Sequence, residues 1–257
     1  MIPLGDNLPT LRRPWVTYAL LAAMWIVWLV VEQAGSNSVA LATAVCNLGM
    51  VPGELTHRAA LGTGVPIGPG MACVIDNSPV NIFTPVISMF LHGSWGHIIG
   101  NSLFFWVFAN NVEDSMGHGR FLAFYFICGL AAAAAHVLVN PASPVPTIGA
   151  SGAISGVMGA YLMLYPRARI KMFFLFFIVP VVAWLVLLYW FVLQVITGLP
   201  ELTQVSSEVT GGVAVWAHVG GFLTGLLLIR VFADPELVAR HRAVFGRHYG
   251  DPSSLQP

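Results

Sequence analysis

Six stretches of roughly 17 to 25 mostly apolar residues run through this 257-residue chain, over 15–31, 90–112, 121–139, 147–165, 172–196 and 212–232. A helix needs about 20 such residues to cross the hydrocarbon of a bilayer. Between them little remains to clothe a water-facing surface. Only 9% of residues are charged against 57% hydrophobic, where a soluble domain carries about 25% charged. The 11 basic residues balance the 11 acidic ones. That balance excludes the basic excess of a nucleic-acid binder and the acidic excess of a disordered chain. Three cysteines are too few for a disulfide-built secreted scaffold. The sequence predicts an all-α multi-pass membrane protein.

An even number of crossings puts both termini on one side. Arg12, Arg13, Arg120, Arg167, Arg169, Lys171, Arg230, Arg240, Arg242 and Arg247 all fall there, and only Arg58 lies opposite. Basic residues concentrate on the cytoplasmic side of membrane proteins, so both termini are expected to be cytoplasmic. By these boundaries six acidic residues accompany the ten basic ones, giving about +4 on that face and −4 on the other. The first apolar run, 17 residues after Arg12 and Arg13, exceeds the usual 7–15 of a signal peptide and reads as a retained anchor. No mitochondrial or lipidation signal is evident, and a bacterial cell membrane is the expected location.

The chain divides into a cytoplasmic segment (1–14), a membrane domain (15–232) and a short polar, basic tail (233–257). A Gly- and Pro-rich extracytoplasmic loop at about 33–89 holds Cys46 and Cys73. A bridge between them would close about 28 residues and contribute on the order of 3–4 kcal/mol. Two buried free thiols are an equal alternative, since spacing does not fix a pairing. Cys128 reads as a small packing residue.

Polar groups in hydrocarbon are expensive, and here they share one depth. His92, His97 and Asn101 open the second crossing, Ser151 the fourth, and His218 the sixth. All three segments start on the extracytoplasmic side, which sets these groups one to two turns below that surface. Gly152, Gly156 and Ala160 recur every four residues in the fourth crossing, as do Ala217, Gly221 and Gly225 in the sixth. Such stripes let two backbones approach closely in lipid. If they face each other, Ser151 and His218 meet across 67 residues of sequence. A serine beside an imidazole is the minimal activated nucleophile. No acidic residue lies within the fourth to sixth crossings, which favours a dyad over a triad. His97 and Asn101, four apart on one helical face, can supply donors to an oxyanion. Backbone N–H groups around Gly149–Ser151 at a helix start would add to them. His92 points elsewhere and is given a structural role. For His136, near the outer end of the third crossing, the choice is approach to the site or headgroup contact, and the latter is expected.

The stretches Gly149-Ala-Ser-Gly152, Ala217-His218-Val-Gly-Gly221 and His92-Gly-Ser-Trp-Gly-His97-Ile-Ile-Gly-Asn101 resemble, in order and spacing, the rhomboid family of intramembrane serine proteases. The resemblance covers roughly residues 85–230 and implies a six-transmembrane-helix bundle. It implies Ser151 as nucleophile, His218 as general base, and an oxyanion hole from His97, Asn101 and the backbone at Gly149–Ser151. Glu113 and Gly117, in Glu-x-x-Met-Gly, match the family's structural motif after the second crossing. The first loop would be a membrane-embedded hairpin, and the fifth helix with the loop after it a lateral gate and cap. Two positions depart from the pattern. Phe83-Thr84 stands where many members have Trp-Arg, and Ser155 where some have a Tyr packed on the catalytic His.

The expected function is therefore endoproteolysis of transmembrane protein substrates near the extracytoplasmic end of their helix. The alternative is a non-catalytic member of the same fold that binds transmembrane helices. No cofactor, metal or nucleic acid is expected, and oligomeric state is open. A zinc enzyme is disfavoured because no His-Glu-x-x-His occurs. A soluble hydrolase elbow is disfavoured because position 153 is Ala rather than Gly.

Overall fold

The structure, a computed structural model, describes residues 2–203 and 214–246. Strand β1 (Ile2–Asp6) precedes helix α1 (Trp15–Ile26), which continues through a wider turn over Val27–Val31. The first loop contains α2 (Ser38–Leu48), the short α3 (Pro52–Leu55), a hairpin of β2 (Gly64–Gly68) and β3 (Met71–Val74), and the short α4 (Thr84–Ile87). Then come α5 (Trp95–Met116) and α6 (His118–Val139). They are joined by Gly117 at φ +83°, a conformation that a side chain would strain. Helix α7 (Ser151–Leu164) leads into strands β4 (Arg169–Phe174) and β5 (Phe177–Val182). The chain continues as α8 (Ala183–Thr203), α9 (Val215–Phe232) and α10 (Pro235–Phe245).

One expectation needs correction. The chain is mostly helical but not all-α: β1, β4 and β5 form an antiparallel sheet in the order β1-β4-β5. The fifth apolar stretch accordingly opens as a hairpin over 172–182, and its helix begins only at Ala183. Its run of Phe, Ile and Val residues suits a strand, and apolarity alone does not separate strand from helix. The expected count of six spans is supported in part. Three described helices are long and apolar enough to cross by themselves: α6, the Ala183–Pro200 part of α8, and α9. Helix α5 is long enough, but Asn110, Asn111, Glu113 and Asp114 crowd its last turns. Helix α1 with its extension has 17 residues, and α7 has 14. At 1.5 Å per residue, 14 residues span about 21 Å.

Helix α7 tolerates that shortness because it is the centre of the bundle. Every residue from Gly152 to Tyr161 is buried, so protein rather than lipid surrounds it. Its two nearest neighbours in the bundle are α9 and α6. A Cβ on Gly221 would lie 2.0 Å from the carbonyl oxygen of Gly152, and one on Gly225 1.9 Å from that of Gly156. Gly156 itself faces Cys128 of α6, whose Sγ would sit 2.6 Å from an added Cβ. Backbone oxygens cannot retreat as a side-chain tip can, so these positions exclude any side chain.

At the face that holds the termini, Glu113 accepts backbone N–H bonds from Val16 (3.0 Å) and Thr17 (2.8 Å) and the Thr17 hydroxyl (2.6 Å). It thereby satisfies the first-turn donors of α1 that no intrahelical carbonyl reaches. Asp114 holds Leu11 N–H and Arg12, and Asp6 accepts from Asn111 and Tyr161. Helix α10 is part of the same end: His241 is buried and donates from Nε2 to the Pro9 carbonyl (3.1 Å). At the opposite, loop-bearing face, a Cys46–Cys73 disulfide ties α2 to β3. The expected cap after α8 (204–213) and the end of the tail (247–257), with Arg247, lie outside the described residues.

Candidate active site

Ser151 is the first residue of α7 and His218 the fourth of α9. The interlocked glycines set the two helices so that the Ser151 hydroxyl reaches Nε2 of His218 at 2.8 Å. On its other side, Nδ1 of His218 lies 2.9 Å from Oε1 of Gln194 on α8. The Trp190 ring, one turn earlier on α8, packs against the imidazole with centroids 5.7 Å apart. His218 is 7% exposed. Ser155, at the position where some rhomboids have a Tyr, turns back to donate to the Ser151 carbonyl (2.6 Å) and leaves the ring to Trp190.

The second cluster comes from the start of α5. His92 donates from Nδ1 to the Phe90 carbonyl (3.2 Å), which leaves Nε2 to accept from the Asn101 amide (3.0 Å). One Asn101 N–H is thus held by His92 and the second is left over. The backbone N–H of His92 is itself held by Glu32 (2.7 Å). His97 accepts a long bond at Nδ1 from Gly93 N–H (3.5 Å), so its Nε2 carries the proton and is a donor. His92 and His97 meet edge to face at 5.0 Å.

Gly149 departs from its expected role. Its N–H donates to the Ser88 carbonyl (2.8 Å) and is not free for an oxyanion. What it supplies is room: at φ +116°, a Cβ there would lie 2.6 Å from Nε2 of His97. The first-turn N–H groups of α7, Ser151 and Gly152, have no intrahelical acceptor.

Ser151, His218, His97, Asn101 and Trp190 all line one cleft of about 1600 Å³ beneath the first loop, shared with Arg58 and the Asn140–Thr147 connection. His136 of α6 also lines it and is only 8% exposed. That corrects the expectation of headgroup contact: α6 turns this residue toward the bundle. Among the described residues no cluster of three His, Cys, Asp or Glu is placed to hold a metal ion.

Trp190 and Gln194 are the site residues that sequence reasoning missed. The signal in the sequence is Gln194 itself, an uncharged polar residue inside an apolar stretch.

Comparison with known proteins gives a match of the rhomboid domain to residues 79–235, more than half of the chain. Rhomboid protease GluP of Bacillus subtilis is 38% identical over 92 residues, 36% of this chain and 17% of that protein. Rhomboid protein 1, mitochondrial, of Saccharomyces cerevisiae is 29% identical over 150 residues, 54% of this chain and 39% of that protein. The zebrafish presenilin-associated rhomboid-like protein A, mitochondrial, is 26% identical over 180 residues, 67% of this chain and 43% of that protein. The chain spans less than half the length of each of these three.

These relatives also overturn the expected bacterial cell membrane. Those from yeast, zebrafish, cattle and Arabidopsis are named as mitochondrial. The physical reason for the error is that a charge asymmetry orients helices relative to the termini. It does not say which membrane surrounds them.

Proposed function

The chain belongs to the rhomboid family, and on that premise we propose that it is an intramembrane serine endopeptidase acting through Ser151 and His218. Its substrates are single-span membrane proteins, cut near the end of the helix that lies at the loop-bearing face. The observation that carries this reading is the 2.8 Å contact between the Ser151 hydroxyl and Nε2 of His218 in the wall of a cleft. A packing serine would be expected to bond to backbone; this one is aimed at an imidazole.

The chemistry follows from those atoms. Ser151 Oγ attacks a substrate carbonyl carbon and forms a C–O bond while its proton passes to Nε2 of His218. The carbonyl oxygen becomes an anion and collects the Nε2–H of His97, the free amide N–H of Asn101 and the Ser151 backbone N–H. Such donors lower the barrier because they are fixed before charge develops. Collapse breaks the C–N bond, and His218 delivers the proton to the leaving nitrogen. A water molecule then attacks the ester, His218 again taking and returning a proton. The product is a free carboxylate, and Ser151 is restored. The substrate helix must unwind to present its carbonyl, and the cleft admits both that segment and water.

The test is a single-span reporter reconstituted with the purified protein in liposomes. Two fragments whose new terminus maps near the loop-bearing face are expected from the wild type, and an intact reporter with Ser151→Ala. A wild type that binds the reporter and never cuts it would instead identify a non-catalytic helix binder.

A further inference from the structure

Resting on the proteolytic reading, we propose that Gln194 is the positioning residue of His218, standing where a triad would have its acid. The geometry points to this through three observations. Oε1 of Gln194 is 2.9 Å from Nδ1 of His218. An amide oxygen can only accept, so Nδ1 carries the ring proton and Nε2 is left as the lone pair facing Ser151. That is the tautomer a general base needs, and it is set by the bond on the far nitrogen.

Second, Trp190, Gln194 and Gly198 are four residues apart and so share one face of α8. Trp190 packs on the His218 ring and on Phe222. At Gly198 a Cβ would stand 3.1 Å from Val215 and 3.2 Å from Trp216. The whole face is seated on α9, which fixes the plane in which Gln194 meets the imidazole. Third, among the described residues no other side chain is bonded to Nδ1. The two imidazoles that share the cleft, His97 of α5 and His136 of α6, lie on other helices and are not bonded to it. Ser155 of α7 is spent on the Ser151 carbonyl.

A neutral amide has a consequence that a carboxylate would not. It orients the ring and selects the tautomer without putting a second charge in the membrane, where an unpaired acid is expensive. Because Gln194 sits on α8 and not on the rigid α7–α9 pair, displacing α8 releases the imidazole from its tautomer. Competence of the base is thereby tied to the seat of that helix.

The experiment compares Gln194→Met, which keeps the length and loses the acceptor, with Gln194→Glu, which keeps an acceptor oxygen. Each is measured in liposomes against wild type for kcat and KM on the reporter and for thermal midpoint. Nitrogen-15 histidine spectra at pH 8 report the His218 tautomer directly. The expected result for Gln194→Met is a fall in kcat of about 10- to 100-fold with KM within about twofold and an unshifted midpoint. Its His218 signal should move away from the Nδ1–H form seen in wild type. Gln194→Glu should retain that form and keep kcat within about tenfold of wild type. A folded Gln194→Met with wild-type kcat overturns the proposal, as does a wild-type spectrum lacking a protonated Nδ1. Equal losses in both folded variants also overturn it. If wild type itself does not cleave, the proteolytic reading fails, and the spectra still decide the Gln194 contact.

Discussion

Both ends of this bundle bury polar side chains, and they do opposite things with them. At the face that holds the termini, the Glu113 carboxylate takes two backbone N–H groups, a hydroxyl and His118. Asp114 is filled by Leu11 and Arg12. These acids stitch the start of α1 to the end of α5 and have nothing left for a ligand. At the loop-bearing face the imidazole, amide and backbone groups of the cleft are incompletely spent. Asn101 keeps one N–H, His97 its Nε2–H, and the first turn of α7 its backbone donors, all along an open cleft. Burial of a polar group in a membrane protein therefore does not by itself mark a site. Leftover donors beside a hydroxyl bonded to an imidazole are the stronger sign.

Substitutions can break that contrast, and the largest effect should come from Ser151→Ala. It should lower cleavage by about 10⁴-fold or more, while the thermal midpoint stays within about 2 °C of wild type. Removing an oxyanion donor with Asn101→Ala should cost about 10²–10³ in kcat, read as initial rates at saturating reporter. A full-rate Asn101→Ala protein would mean that the backbone donors of α7 suffice.

The other end should respond in stability instead. Glu113→Ala strands the Val16 and Thr17 N–H groups at the start of α1 and should destabilise the fold by on the order of 3 kcal/mol. The activity of the fraction that remains folded should be unchanged. Cleavage lost in proportion to a Ser151 variant, with no shift in unfolding, would erase the distinction between the ends. Replacing Cys46 and Cys73 with Ser should cost about 2–4 kcal/mol, measured by unfolding in detergent with and without reductant.

The smallest effect is one of pH. Burial pushes the Asp6 carboxyl up to about 6, against the opposing pull of its bonds to Tyr161, Leu8 and Asn111. Between its unfolded value near 4 and about 6, the folded chain holds a proton that the unfolded chain has lost. The stability this group contributes is therefore full below that window and is lost as pH rises through it. Wild type should gain thermal midpoint between pH 7 and pH 5 relative to Asp6→Asn, which has no such proton. Glu32, pushed up to about 7 mainly by burial, acts in the same direction and remains in both proteins. Parallel pH curves for the two would show that Asp6 is solvated.

How far the sequence disclosed this molecule depended on the range of the interaction concerned. Ser151, His218 and the two glycine stripes could be read because each lies in a local pattern of period four, and the structure faces those stripes toward each other. The hairpin over Arg169–Val182 could not. Its third strand is Ile2–Asp6, more than 160 residues earlier, and its Phe- and Val-rich run looks like the start of a membrane helix. That the Gly149 N–H is occupied is not legible, because its partner, the Ser88 carbonyl, belongs to a loop without a motif. Gln194 is not legible because its contact crosses a helix pair, and the residues on either side of it, Leu193 and Val195, are apolar.

The central claim is that Ser151 is a nucleophile made reactive by His218, and active-site labelling tests it most directly. Purified protein is treated with a fluorophosphonate, digested, and mapped by mass spectrometry. The account predicts one adduct, on Ser151, absent from Ser151→Ala and at least about 100-fold slower to form in His218→Ala. A wild type that stays unlabelled while folded, or that labels equally well without His218, would contradict it.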